Sequence, residues 1–455
     1  MVLLIKNGYV IDPKSGYEGA ADVLMKDGKV WKIGEKIRLE EELAGAGAKA
    51  EEASVIDADG KIVAPGLVDV HVHFRDPGFT YKEDIVSGAR AAARGGFTTV
   101  VLMANTKPPV DNVETLRYVL EKGAGTGIHV ESCGNITSGM KGRELTDMDR
   151  LSEAGAAGFT DDGVPILDEE VVKRACDMAA RLGKPLSFHE ENPAFIQNNG
   201  INAGAAAQHY GIGGSDRQAE IWMVERDLAL ADGTGAEVSI QHISTKEAVE
   251  LVRKAKKTNP HIHAEATPHH FTLTEEAAVK YGSLAKMNPP LREEADRLAI
   301  IEGLRDGTID MIATDHAPHS AEEKGRGITE APSGIIGLET ALSLGIRELV
   351  EKGYLAMMEL IGLMSWKPAR FYGLDVGYLS EGGPADCIIF DSREKWKVET
   401  FFSKSKNSPF LGEVLPGTIY YTVCNGRIVY QKENQVCACA ASTNLACAKS
   451  RAERE

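Results

Sequence analysis

The sequence predicts an α/β protein: a (β/α)8 TIM-like barrel with a small β-sandwich domain formed from the N- and C-terminal segments. Two observations lead to this prediction. The middle of the chain alternates between short apolar runs and helical stretches in eight strand–helix units, which is typical of parallel barrels. Both ends contain short strands and turns, which we expect the barrel between them to bring together. A doubly wound open sheet is the alternative, but no G-x-G-x-x-G motif follows the early strands.

The terminal segments define the predicted domain boundaries. Near the N-terminus, LLIKNGYVID, ADVLMKDGKVWKIG and SVIDADGKIVAPG have the pattern of strands and turns, and residues 377–432 have a similar composition. We expect a polar surface excursion near residues 38–53, and a disordered tail that contains Cys437, Cys439 and Cys447. The predicted domains are residues 1–62 and 375–432 for the β-sandwich, 63–374 for the barrel and 433–455 for the tail.

Eight segments are predicted as the barrel strands. In chain order they are GLVDVHV, FTTVVLMA, IHVESCGNI, AAGFTDD, KPLSFHE, EVSIQHIS, HIHAEATPH and DMIATDH. Helical stretches separate most of them, such as YKEDIVSGARAAARGG, DEEVVKRACDMAARLG, DRQAEIWMVERDLALADG and TKEAVELVRKAKKT. Because the carboxyl ends of barrel strands converge on one mouth, side chains at these ends are candidates for a shared site.

Composition and charge exclude several classes of function. The 455-residue chain has a net charge of −16, which argues against nucleic acid as a partner. An anionic substrate would therefore need a local cationic site. No apolar run reaches the roughly 18 residues of a membrane span, and the N-terminus lacks the features of a signal peptide. We expect a cytoplasmic protein that acts without a membrane.

Five of the predicted strands end in side chains that can bind metal ions. A single histidine at such a position is more often structural than a ligand. Five such ends in one barrel favour a metal centre, because imidazoles and carboxylates suit two divalent ions, zinc above all. The spacing leaves open whether Asp161 or Asp162 takes part. The candidate ligands are His71, His73, one of these two aspartates, His189, His242 and Asp315.

A set of short motifs occurs in a fixed order: DVHVHFRDPG, KEDI, GGFTTV, NTKPP, GFTDDG, QHIST, MNPPLR, ATDHAPH and GIIGLET. With these motifs the chain resembles the class I dihydroorotases of the amidohydrolase superfamily, from near residue 1 to about residue 432. The resemblance implies zinc-dependent, reversible interconversion of N-carbamoyl-L-aspartate and (S)-dihydroorotate in pyrimidine biosynthesis. One departure is Ala104, where the family usually has proline, so we expect a less rigid backbone before Asn105.

The resemblance also implies roles for individual residues, with two zinc ions per chain. The implied zinc ligands are His71, His73 and Asp315 for a first ion, His189 and His242 for a second, and Asp162 as the bridging carboxylate. The implied substrate contacts are His73, Arg75, Asn105, Asn288 and His319, with backbone atoms of Ser333 and Gly334.

Two of these residues also have a chemical rationale. Arg75 falls at a further inward step of the strand that holds the first two histidines, and its guanidinium can grip a substrate carboxylate through two hydrogen bonds. A salt bridge with Asp76 or Glu83 is the alternative. The expected nucleophile is a hydroxide shared by the two ions. Asp315 is the expected general acid and base, because it lies at the metal centre and beside the segment ending in His319.

Two other functions stay open from the sequence. Hydantoinases, dihydropyrimidinases and allantoinases are related, but they usually bridge their metals with a carboxylated lysine, and GFTDDG offers aspartate instead. A catalytically silent scaffold for aspartate transcarbamoylase would lack metal ligands, whereas every ligand position is filled here. The expected partners are a small-molecule substrate and, by analogy, a second copy of the chain in a homodimer. Association with aspartate transcarbamoylase is left open.

Overall fold

The structure is a computed structural model that describes residues 1–44 and 53–432. Part of the predicted excursion near residues 38–53, and the whole predicted tail with its cysteines, lie outside the described residues. None of the helices in the described ranges combines the length and the apolar character that crossing a membrane requires.

The described residues form sixteen β-strands, eight in a barrel and eight in a sheet built from the chain ends. The strands are β1 (Val2–Asp12), β2 (Tyr17–Lys26), β3 (Lys29–Gly34), β4 (Ser54–Asp57), β5 (Ile62–Pro65), β6 (Leu67–Val72), β7 (Phe97–Leu102), β8 (His129–Ser132), β9 (Phe159–Thr160), β10 (Leu186–Phe188), β11 (Val238–Ile240), β12 (Ile262–Ala266), β13 (Met311–Ile312), β14 (Cys387–Lys397), β15 (Val414–Cys424) and β16 (Arg427–Gln431).

Most helices of the described chain follow the barrel strands and cover them. The helices are α1 (Leu39–Glu42), α2 (Ile85–Arg94), α3 (Val113–Ala124), α4 (Met148–Glu153), α5 (Glu169–Leu182), α6 (Ala205–Tyr210), α7 (Gln218–Ala231), α8 (Lys246–Ala255), α9 (Pro268–Thr272), α10 (Glu276–Tyr281), α11 (Glu294–Asp306), α12 (Ala321–Lys324), α13 (Ala341–Gly345), α14 (Met357–Leu363) and α15 (Trp366–Phe371).

Strands β6 to β13 form a closed parallel barrel. Hydrogen bonds join β6, β7 and β8 into one sheet and β9 to β13 into another. Parallel bridges from Gly134 to Phe159 and from Val72 to His316 connect the two sheets at both edges. All eight predicted barrel strands are present, and the closed ring excludes the doubly wound open sheet.

The apolar sequences of the barrel strands reflect burial on both faces. Every residue of β6 and β7 is buried, as expected for parallel strands that are covered by helices. Helix α2 begins after Asp84, which forms a capping box with Ser87, and α5 begins after Asp168, which caps the first turn. These caps end the loops that leave the carboxyl ends of β6 and β9.

The two ends of the chain meet in one mixed sheet. Its strand order is β16-β15-β14-β5-β1-β2-β3, with β4 paired to β1. The antiparallel pair of β5 and β14 connects the two ends, with Pro65 opposite Cys387 and Val63 opposite Ile389. Strands β15 and β16 contact helix α2, so the sheet packs on the barrel.

Candidate active site

The carboxyl ends of the barrel strands converge on a cavity of about 200 Å³. This size suits a small metabolite, since drug-sized ligands occupy about 300–1,000 Å³. Of the predicted site residues only His71 is absent from the lining, and it lies fully buried behind it. The lining residues are His73, Arg75, Asn105, Asp162, Gly163, His189, His242, Asn288, Asp315, Ala317, His319, Ser333 and Gly334.

Asp162 joins two groups of histidines. Its carboxylate oxygens lie 3.4 Å from Nε2 of His71 and 3.4 Å from Nε2 of His73. They lie 3.7 Å from a ring nitrogen of His189 and of His242. In each group the three ligand atoms lie within 4.8 Å of one another. The structure therefore brings candidate ligands together in two clusters that share one carboxylate.

The Asp161 carboxylate binds the loop after β8 rather than the histidines. Its carboxylate accepts hydrogen bonds from the backbone N–H groups of Ile136 and Thr137 and from the Asn135 amide. These bonds anchor the loop that follows β8. Of the two adjacent aspartates that spacing alone could not separate, Asp162 is the one at the clusters.

Asp315 and Asn105 contact His73 from two sides. Asp315 Oδ1 lies 3.0 Å from Nε2 of His73, and Asn105 Oδ1 lies 3.0 Å from its Nδ1. The Asn105 amide also donates a hydrogen bond of 3.1 Å to the carboxylate of Asp162. Asn105, which was predicted as a substrate contact, therefore also orients two side chains of the clusters.

Two glutamates that the sequence analysis did not identify support the histidines. Glu265 Oε1 lies 2.5 Å from Nδ1 of His71, and Glu191 Oε2 lies 3.2 Å from Nε2 of His189. A carboxylate on the outer ring nitrogen fixes the tautomer and orientation of a metal-binding histidine. The sequence does contain a signal for Glu265, because a charged residue inside a buried parallel strand such as β12 needs a partner.

The remaining predicted residues complete the cavity wall. His319 Nδ1 lies 3.3 Å from the ammonium nitrogen of Lys82. The amide nitrogen of Asn288 lies 3.5 Å from Nε2 of His189. Ser333 and Gly334 line the same cavity. The structure thus gathers every predicted substrate contact at one site.

Arg75 reaches the cavity in a different way from the one predicted. Strand β6 ends at Val72, and Arg75 has a left-handed φ of 59°. The inward and outward alternation of strand residues therefore does not set the direction of the Arg75 side chain. The prediction that Arg75 occupies a third inward position of the strand was wrong. The side chain still lines the cavity, and its Nε donates to the carbonyl oxygen of Pro318 at 3.4 Å.

The salt bridges considered for Arg75 are absent. Asp76 binds the ammonium group of Lys122 at 2.6 Å, and Glu83 accepts a hydrogen bond from the backbone of Lys404 at 3.0 Å. Within the described part of the chain, no carboxylate forms an ion pair with Arg75. Its guanidinium can therefore bind a carboxylate from a ligand.

Comparison with known proteins assigns the family. Residues 62–429 match the model of the amidohydrolase family. The chain belongs to the amidohydrolase family. A dihydroorotase from Clostridioides difficile is 55% identical to it, over 94% of this chain and 100% of the relative. A dihydroorotase from Clostridium acetobutylicum is 51% identical with the same coverage. The resemblance found in the motifs is confirmed.

Solved structures show the same fold as this amidohydrolase. L-hydantoinase (dihydropyrimidinase) from Arthrobacter aurescens matches with a TM-score of 0.83 and 27% identity, over 94% of this chain and 96% of that one. Dihydropyrimidinase from Brevibacillus agri matches with a TM-score of 0.80 and 23% identity, over 95% of both chains. The second likeness shows the fold alone, and together they confirm the predicted fold class.

Buried carboxylates make the two clusters of this amidohydrolase favourable for positive charge. Burial lowers the pKa of His189, but Asp162 and Glu191 outweigh it and raise that pKa to about 10. Burial likewise raises the pKa of Asp162, but the histidines, His71 first, hold it well below its usual range. An environment that stabilises protons on buried imidazoles also stabilises metal cations.

The donor distances fit a metal ion. Nε2 of His71 is buried and makes no hydrogen bond to any described residue, while oxygens of Asp162 and Asp315 lie 3.4 and 3.6 Å away. Two ligands of one tetrahedral zinc ion, with bonds of about 2.0–2.1 Å, are separated by about 3.4 Å. The three groups are therefore spaced as ligands rather than as hydrogen-bonded pairs.

Three residues of the site have left-handed backbone conformations. Arg75, His242 and Asp315 have φ values of 59°, 31° and 46°. Such conformations are uncommon for residues other than glycine, and they concentrate at active sites. Each occurs just after a barrel strand, where the chain turns out of the barrel and directs a side chain into the cavity.

Proposed function

We propose that the chain is a dihydroorotase, which interconverts N-carbamoyl-L-aspartate and (S)-dihydroorotate in pyrimidine biosynthesis. The relatives at 51% and 55% identity carry this name. The structural observation that carries the proposal is one cavity in which two histidine clusters share Asp162 beside the unpaired guanidinium of Arg75. The clusters suit metal-assisted amide hydrolysis, and the guanidinium suits a ring that bears a carboxylate.

Two zinc ions are the cofactors that this donor set fits best. His71, His73 and Asp315 would hold one ion and His189 and His242 the other, with Asp162 shared between them. When bound, such ions polarise an amide carbonyl and lower the pKa of a water molecule.

Arg75 and His319 bind and orient the substrate. The guanidinium holds the ring carboxylate through two hydrogen bonds. Burial, together with the charges of Arg75 and Lys82, lowers the pKa of His319 to about 2, so its imidazole is neutral. Nε2 of His319 is buried without a partner in the described residues and can bond the same carboxylate. This pair holds the ring against the metal side of the cavity.

Asp315 moves the proton in both directions of the reaction. Burial raises the pKa of its carboxyl group, but His73 and the other imidazoles hold that pKa below its usual range, so the group is ionised. In ring opening the carboxylate accepts a proton from the attacking water and passes it to the leaving ring nitrogen. In ring closure it takes the proton from the carbamoyl nitrogen as that nitrogen attacks the carboxyl carbon, and it gives the proton to the carboxyl oxygen that leaves as water.

Turnover of dihydroorotate before and after chelation tests the proposal. Hydantoin, allantoin and dihydrouracil are assayed beside it, and zinc is measured on the same sample. We expect dihydroorotate to be preferred, activity to disappear on chelation and return with zinc, and close to two zinc ions per chain. Preferred turnover of a ring without a carboxylate would indicate a related cyclic amidohydrolase instead. Absence of metal and of turnover would indicate the silent scaffold.

Several sequence predictions stay predictions. They are the homodimer, the cytoplasmic location and the exact domain boundaries; the sequence analysis left association with aspartate transcarbamoylase open. The geometry of the cavity tests none of these predictions, because they concern other parts of the molecule or its location in the cell.

A further inference from the structure

Two buried lysines lie behind the wall of the cavity that carries Ser333 and Gly334. Lys286 is 4% exposed and Lys324 is 5% exposed. The Lys286 ammonium donates to the carbonyl oxygens of Thr329 at 3.3 Å and Ala331 at 2.7 Å. The sequence analysis did not identify either lysine as a site residue.

Lys324 completes the same arrangement. Its ammonium donates to the carbonyl oxygens of Pro332 at 2.9 Å and Gly334 at 3.0 Å. The two lysines together bind four carbonyl oxygens of the segment 329–334. Backbone carbonyls that would otherwise repel an anion are thereby turned towards ammonium groups.

Neither lysine has a carboxylate partner in the part of the chain that the structure describes. Buried charges are usually paired, because desolvation of an ion is costly. Burial lowers the pKa of both lysines, and with the charge of Lys286 nearby it lowers that of Lys324 to about 7. Two buried lysines without a carboxylate partner under one wall therefore need an explanation, and an anionic ligand, which would favour their charged forms, supplies one.

The segment 329–334 is also fitted closely against His319. Gly334 has a φ of 112°, and a Cβ on it would lie 2.6 Å from the Cβ of Ala317. The Asn407 amide donates to the carbonyl oxygens of Ala317 and Gly334, and its oxygen accepts from the His319 backbone at 3.1 Å. The position of the segment thus controls the shape of the cavity around the His319 ring.

We propose that Lys286 and Lys324 are positioning residues that hold segment 329–334 against His319 and make this wall electropositive, which sets the affinity for the substrate carboxylate. The inference rests on the proposed dihydroorotase activity. Neither lysine lines the cavity itself, so we expect both to act on binding rather than on the chemical step.

Substitution by methionine tests this role. Lys286→Met and Lys324→Met keep the length of the side chain and remove its charge and its donors. We expect each to raise the KM for dihydroorotate at least 10-fold, with kcat within about 3-fold of the native value and an unchanged zinc content. Where a methionine variant does not fold, the glutamine variant at the same position replaces it under the same criterion.

Lys256→Met is the matched control. The Lys256 ammonium also binds backbone carbonyls, those of Gly307 and Thr308 at 3.0 and 3.2 Å, but at the opposite end of the barrel, where it pairs with Asp310 at 2.7 Å as well. We expect a native KM in this variant. An unchanged KM in the Lys286 and Lys324 variants, or a fall in kcat without a rise in KM, would overturn the inference. Absence of dihydroorotate turnover in the native protein would instead overturn the proposed function.

Discussion

Glu265 connects the two histidine clusters without belonging to either. It is buried on strand β12, and its Oε1 accepts hydrogen bonds from Nδ1 of His71 and from the backbone N–H of His242 at 3.2 Å. One carboxylate therefore positions a residue from each cluster. Its charge also increases the basicity of the His71 ring, which strengthens a metal bond at the opposite nitrogen.

We expect Glu265→Gln to lower the metal affinity about 10- to 100-fold, because glutamine keeps the shape of glutamate but removes its charge. Competition with a chelator measures this affinity. Glu237→Gln is the matched control, since Glu237 binds His261 and His263 at 2.7 Å each, outside the cavity. Equal metal loss in both variants would contradict the role given to Glu265.

Asp315 can be tested at the same scale. We expect Asp315→Asn to retain the fold and to lose about 10²–10⁴-fold in turnover, because the amide cannot accept and return the proton. Dihydroorotate turnover, circular dichroism and zinc content on one sample check this. Near-native turnover with the metal retained would refute the role of Asp315 as general acid and base.

Helix α2 sets the position of the strand end that bears the first histidines. Its Gly88 packs directly on the ring of Phe74, which is 1% exposed and lies next to the end of β6. A Cβ at Gly88 would lie 2.3 Å from the Phe74 ring. The glycine therefore allows a close approach of helix and strand that any larger residue would prevent.

We expect Gly88→Ala to lower the free energy of unfolding by about 1–3 kcal/mol, the usual cost of overpacking a core. Alanine favours a helix over glycine by about 1 kcal/mol, but the overlap with the Phe74 ring outweighs this gain. Chemical denaturation measures the change. Val86→Ala on the exposed face of α2 is the control and should stay within about 0.5 kcal/mol. Stabilisation by Gly88→Ala would show that the ring can move aside.

At the scale of the whole molecule, a partly buried ion pair joins the barrel to the terminal sheet. His129 begins barrel strand β8, and its Nε2 lies 2.9 Å from Asp386, which precedes β14. Asp386 is 1% exposed and also accepts the backbone N–H of Asn425 at 2.7 Å. The hydrogen bond to Asp386 raises the pKa of His129, which burial alone would lower.

This ion pair should make the stability of the molecule depend on pH. Because the pKa of His129 is higher in the folded protein, the pair contributes fully below the unfolded pKa of about 6.5 and is lost as the pH rises through the folded pKa. We expect the free energy of unfolding of the native protein to exceed that of His129→Gln by about 1 kcal/mol at pH 5.5 and by less at pH 9. Denaturation of both proteins at each pH measures the difference. A difference in the free energy of unfolding that does not change with pH would contradict a stabilising ion pair between His129 and Asp386.

Different parts of the site were predictable to different degrees. His71 and His73 could be found because strand alternation still holds for His73, which directly follows the last residue of β6. Arg75 was identified for its chemistry, but its direction was predicted wrongly because the strand ends before it. Lys286 and Lys324 could not be found, since a lysine in a loop or at the end of a short helix gives no sign of burial.

By itself, the sequence determined the eight strand–helix units, the meeting of the chain ends and the set of candidate ligands, because these depend on local apolar patterns and on residue type. Spacing left Asp161 and Asp162 open, and the resemblance implied Asp162. Only the tertiary structure placed Asp162 between the two clusters, left Arg75 without a carboxylate partner among the described residues, and set Glu265 against His71. The physical reason is that these properties arise from contacts and desolvation between residues far apart in the chain.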